Sequence, residues 1–110
     1  MMLMENEPCG TLSGGVTRVV SIQSLDTLAV QITDPAIDRD GTATYEVQVG
    51  LTPTSLGTHP DGAKTIGTSA TMIQLDDVTN FGYARVTCTA DGVTGGGGEV
   101  GVWMNGAIRR

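Results

Sequence analysis

From residue 16 onward, apolar and polar side chains alternate with a period of two in short runs separated by turn-forming residues, which is the pattern of half-buried β-strands. The cleanest run is Ala43–Leu51, where Ala43, Tyr45, Val47, Val49 and Leu51 share one face and Thr44, Glu46, Gln48 and Gly50 the other. Upstream, Val16–Gln23, anchored by Val16, Val20 and Ile22, turns through Ser24-Leu25-Asp26 into a second strand at Leu28–Thr33. Asp34-Pro35 ends that strand, because proline has no ladder donor and restrains its predecessor. Ala36–Gly41 then reads as a charged loop. Residues 52–69 carry Pro53, Gly57, Pro60, Gly62 and Gly67 and form the longest irregular stretch, holding at most a short strand at Lys64–Ile66. Thr71–Leu75, Tyr83–Thr89 and Val100–Met104 complete the strands. Asp76–Asn80 crosses between the first two of these, and Gly92–Gly98 is expected to fold the last two into a closing hairpin.

The opening fifteen residues lack this periodicity. With Pro8, Gly10, Gly14 and Gly15 they read as an irregular arm whose tip, Met1, Met2, Leu3 and Met4, is apolar and adaptable. The expected organisation is therefore an arm over 1–15 and one all-β antiparallel sandwich of six to seven strands over 16–110, which folds without the arm.

Composition sharpens the class. At 110 residues the chain holds one core, and aromatics make up only 4%, so Val, Ile, Leu, Met and Ala must fill it. Sixteen glycines suit a turn-rich β-chain better than a helical bundle. The net charge of −6, from 12 acidic and 6 basic residues, opposes the phosphate attraction that nucleic-acid binding needs. The start, MMLMENEPCG, has neither the basic residues nor the apolar run of a secretion signal, and no stretch approaches the roughly 20 apolar residues of a membrane span. These features lead us to expect a protein made in a cytoplasm without a membrane anchor. Cys9 and Cys88 lack metal-ligand spacing and read as inert thiols rather than a disulfide.

Candidate chemistry is sparse. Asp34, Asp38 and Asp40 precede Gly41, which invites a calcium reading, but the spacing differs from an EF-hand and suits a solvated turn. His59, the sole histidine, sits beside Pro60-Asp61-Gly62 and reads as an exposed loop residue with no nucleophile to serve. Gly95–Gly98 lies between strands, where a phosphate loop would lead into a helix, so it reads as a flexible tip. No catalytic residue, metal site or cofactor is assigned. A protein interface is the better candidate. If Ala84, Val86 and Cys88 face the core, Tyr83 and Arg85 face out. Trp103 alternates with Val102 and Met104 and either joins that outer face or is itself core. The outward reading makes Tyr83, Arg85 and Trp103 an interface with the apolar tip Met1–Met4, since Tyr, Arg and Trp concentrate binding energy at interfaces. Arg85→Ala is then expected to weaken attachment more than stability.

The C-terminal third resembles small structural proteins of tailed bacteriophages, including capsid decoration (cement) proteins. The shared features are the aromatic-x-Arg-Val strand Tyr83-Ala84-Arg85-Val86, the Gly/Thr-rich segment Thr94–Gly98, and the Val-x-Val strand closing in Asn-Gly at Val100–Gly106. Tyr45-Glu-Val-Gln-Val49 is similar to the strand leading into the long loop of such proteins, though Ala63-Lys64 stands after Asp61-Gly62 where many of them carry an aromatic. The resemblance implies a virion protein on the capsid surface, bound to the major capsid protein or other virion proteins as a homo-oligomer, commonly a trimer. A tail or neck component, or a carbohydrate-binding adhesin-like sandwich, is the alternative.

Overall fold

The computed structural model describes residues 1–10, 15–33, 43–66, 71–91 and 100–108. These residues form eight strands and no helix. They are β1 (Met2–Gly10), β2 (Val20–Ser21), β3 (Thr27–Thr33), β4 (Ala43–Thr52), β5 (Ser55–Ile66), β6 (Thr71–Leu75), β7 (Tyr83–Asp91) and β8 (Val100–Ala107). Two antiparallel sheets result, sheet A in the order β1-β8-β3-β6 and sheet B in the order β2-β7-β4-β5. Their inner faces share one core. Leu28, Val30, Ile32, Leu75 and Met104 of sheet A meet Tyr45, Val47, Ala84 and Val86 of sheet B, all fully buried. The all-β sandwich expected from the alternation is thus the fold, with the aliphatic core that the low aromatic content requires.

The N-terminal segment departs from expectation. Met2–Gly10 is not an irregular arm but a strand hydrogen-bonded along β8, and Met4 and Cys9 are core residues with 1% and 2% exposure. Its register is interrupted three times, between Met2 and Met4, between Met4 and Glu7, and between Pro8 and Gly10. Asn6 adopts a left-handed φ of 52°, a conformation that asparagine tolerates better than most residues. Bulges of this kind shift the side-chain alternation, so the two buried anchors stand five residues apart and leave no period-two signature. Arg18 closes the free edge of β1, donating to the Leu3 carbonyl at 3.1 Å and pairing with Glu7 at 3.3 Å.

Three other expectations change. Within 16–23 only Val20–Ser21 is a strand. Val16 makes a single bridge to Thr87 and is exposed, while Thr17 turns inward and its hydroxyl accepts the Val86 N–H at 3.0 Å. Much of the stretch expected to be irregular, 52–69, is the edge strand β5. It pairs with β4 through a register break opposite Glu46 and Gln48 that accommodates Pro60, and of its side chains described His59 alone is buried. Leu51, expected on the core face, is 75% exposed because the register shifts again before the Thr52–Ser55 pair. In that hairpin a Cβ at Gly50 would collide with the main-chain carbonyl of Ser55. Gly50→Ala should therefore cost about 1–3 kcal/mol, read as a lower midpoint in urea with an unchanged slope.

The closing hairpin is also absent. β7 pairs with β2 and β4, whereas β8 pairs with β1 and β3, so these consecutive strands lie in opposite sheets. The acidic segment 34–41 and the Gly95–Gly98 tip lie outside the described residues, as does the side chain of Cys88.

Candidate functional site

The strand order of sheet A decides which side chains meet on its outer face. β8, β3 and β6 are neighbours, with Trp103 opposite Gln31 and Gln31 opposite Met72. One step along, Met2, Asn105, Ala29 and Gln74 form a second row. The intervening residues Leu28, Val30, Ile32, Ile73, Val102 and Met104 point into the core, so alternation fixes the first set outward. Met2, Ala29, Gln31, Met72, Trp103 and Asn105 line an open depression of about 340 Å³. Met2 and Met72 are 55% and 53% exposed, and Trp103 is half-buried between them. No ionisable side chain lies in either row. Three of these side chains, Gln31, Gln74 and Asn105, are amides, and the exposed Glu5 stands beyond them on β1, next to the core-facing Met4.

The outer face of sheet B has a different character. Arg85 Nε donates to Gln48 Oε1 at 2.8 Å, and Thr58 donates to Glu46 at 2.6 Å. Gln23 makes a weak contact with the Tyr83 hydroxyl at 3.5 Å. These polar groups satisfy one another across β7, β4, β5 and the turn that follows β2. The outward-facing Arg of the sequence reading is held by its own sheet.

The interface residues expected from sequence therefore separate into three groups. Met2 and Trp103 come together on sheet A. Tyr83 and Arg85 lie on the far side of the sandwich, because β7 and β8 belong to different sheets. Met4 is buried in the core and Leu3 packs against it, while Met1 is exposed and its amino group donates to the Gly106 carbonyl at 2.7 Å. Gln31, Met72 and Asn105 were missed. Each is visible in the sequence as an outward position of its own strand, but nothing local tells that β8, β3 and β6 lie side by side.

His59 is not an exposed loop residue. It is a buried residue of β5, 7% exposed, with its ring edge against Phe81 at 6.0 Å between centroids and 69° between planes. Nδ1 accepts the Asp61 N–H at 3.1 Å, which assigns the proton to Nε2, and Nε2 then donates to the Asp77 carbonyl at 3.0 Å. Asp77 in turn accepts from the Thr79 amide and hydroxyl at 3.1 and 2.7 Å. Both imidazole nitrogens are thus occupied by main chain, and the ring fastens the 76–82 connection to β5. His59→Ala should lower stability by roughly 2 kcal/mol by stranding two main-chain groups, a loss measurable by thermal melting.

No family model matches the sequence, and no curated protein does. Among solved structures, the chain is similar to CsCBM6-3 from Clostridium stercorarium in complex with cellobiose, with a TM-score of 0.46 and 10% identity over 98% of this chain and 82% of that one. Identity at that level says nothing of what this chain binds.

Proposed function

We propose that this chain is a non-catalytic structural protein that joins a larger protein assembly through the outer face of sheet A. The observation that carries the reading is the uncharged row of Trp103, Gln31 and Met72 with Met2 beside it, on a chain otherwise rich in acidic groups. A central aromatic flanked by adaptable methionines is the composition of an interface centre. The assembly we infer is the head shell of a tailed phage, with the chain as a decoration protein, on the resemblance of Tyr83–Val86 and Val100–Gly106 to such proteins. Purified particles tested by mass spectrometry and electron microscopy should carry the protein on the outer shell. Particles without it, or with it confined to tail or neck, would overturn the shell assignment.

A second reading has one observation in its favour. The amides of Gln31 and Asn105 flank the Trp103 ring, offering donors and acceptors beside an apolar face that a sugar ring could cover. Since Trp103 is the single tryptophan of the chain, its fluorescence reports on this face alone. Titration with a panel of soluble oligosaccharides should leave it unchanged if the protein-contact reading holds, and a saturable shift would favour the glycan.

A further inference from the structure

We propose that Asn105-Gly106 is a self-modification site, at which the asparagine converts to aspartate and isoaspartate, and that the first residues of β1 guard it. The inference stands apart from what the sheet A face contacts.

Of the chain's three asparagines, Asn6, Asn80 and Asn105, only Asn105 precedes a glycine. Packing demands that glycine, since a Cβ at Gly106 would collide with the buried side chain of Leu25. The same lack of a Cβ leaves the Gly106 nitrogen uncrowded, and the Asn105 side chain is exposed beside it. When that nitrogen attacks Asn105 Cγ, a five-membered succinimide closes, the Cγ–Nδ2 bond breaks, and the proton of the attacking nitrogen leaves with the amide as ammonia. Water then opens the ring. Opening at Cγ leaves aspartate in an ordinary backbone, whereas opening at the Asn105 main-chain carbonyl leaves isoaspartate, with the chain running through the former side chain. The sum is one water consumed and one ammonia released, with no oxidant or second reactant.

The ladder holds this reaction off. The Gly106 N–H donates to the Met1 carbonyl at 2.8 Å, and Asn105 is paired with Met2 on one side and Ala29 on the other. Ring closure requires the peptide between Asn105 and Gly106 to turn and its N–H to be free, so the bond to Met1 must break first. The pairing of β1 shifts register between Met2 and Met4. Met1 and Met2, both exposed, therefore stand across an irregularity from the buried anchor Met4. They separate from β8 while Met4 keeps its place in the core, a local opening that costs far less than global unfolding. Arg18, which donates to the Leu3 carbonyl at 3.1 Å and pairs with Glu7, limits how far this end of the strand frays. Isoaspartate at position 105 would lengthen the backbone of β8 and break its register with both neighbours.

The test follows the full-length wild-type chain in mildly alkaline buffer. Peptide mapping by mass spectrometry reads the amide-to-acid mass gain at each asparagine, and hydrogen exchange on the same sample reads the opening of the Gly106 amide. Asn105 should convert well before Asn6 and Asn80, and its rate should rise at least about tenfold in denaturing urea, where no ladder remains. Arg18→Ala should speed Gly106 exchange and Asn105 conversion by the same factor, about threefold, with the melting temperature nearly kept. An Asn105 that stays an amide in urea would overturn the site. Conversion as fast in the folded chain as in urea, a Gly106 amide that exchanges only as slowly as the core amides of β3, or an Arg18→Ala chain that speeds exchange but not conversion would overturn the guard. The comparison of buffer with urea and the wild-type exchange rate decide the matter even if Arg18→Ala fails to fold.

Discussion

Deletion of residues 1–10 should unfold the sandwich at ambient temperature rather than free it of a dispensable tail. Each buried apolar side chain contributes about 1.5–3 kcal/mol, and the deletion removes both Met4 and Cys9 from the core. It also strips β8 of one of its two hydrogen-bonding neighbours. Met104 and Val102, now fully buried, would then lie on a sheet edge open to water. The Arg18 contacts to Leu3 and Glu7 disappear with the strand. Together the losses come to roughly 5 kcal/mol or more, against a total stability of about 5–15 kcal/mol for a domain of this size. Circular dichroism of the truncated chain should show loss of the β signal or a melting transition near ambient temperature. The single substitution Met4→Ala should reproduce part of this, at about 2–5 kcal/mol. A truncated chain that melts like the full one would mean that β1 contributes no net stability.

The same strand marks the limit of what period-two alternation can reveal. The strands β3, β4, β6 and β7 were legible because each pairs in register over most of its length, so side chains alternate between core and solvent over long runs. β1 and β5 are sheet edges with bulges, and at every bulge the alternation changes phase. Met4 and Cys9, or His59 beside Pro60, therefore look like scattered residues of a loop. For β5 the scarcity of apolar residues removed the remaining signal, since its buried side chain is an imidazole whose ring nitrogens are satisfied by Asp61 and Asp77 main chain.

The candidate site was legible in its parts and not in its assembly. Trp103 is identifiable as an aromatic within an apolar strand that either faces out or joins the core, and Met2 as part of an apolar tip. Whether Trp103 meets Arg85 or Met72 depends on which strands are neighbours, a property of long-range pairing that no local pattern encodes. The expectation of a closing hairpin placed Trp103 beside Arg85. The actual order, with β8 between β1 and β3, places it beside Gln31, with Met72 on the strand beyond.

That rearrangement reverses the expected roles of two residues, and the reversal is measurable. Trp103→Glu replaces an outward, half-buried indole with a carboxylate in the uncharged row that Trp103 forms with Gln31 and Met72. The core beneath, Val102, Met104 and Val30, is untouched, so the melting temperature should fall by only a few degrees, corresponding to about 1 kcal/mol. Attachment to the assembly should weaken far more, by at least about 2 kcal/mol or roughly thirtyfold, because a central aromatic anchor is lost and a charge must be desolvated in its place. Arg85→Ala should do the opposite. It removes the 2.8 Å bond to Gln48 and costs about 0.5–1.5 kcal/mol of stability, while leaving attachment intact, since its guanidinium serves the far sheet. Thermal melting and co-sedimentation with purified particles, run on both variants, separate the two effects. Attachment lost with Arg85→Ala and kept with Trp103→Glu would move the contact surface from sheet A to sheet B.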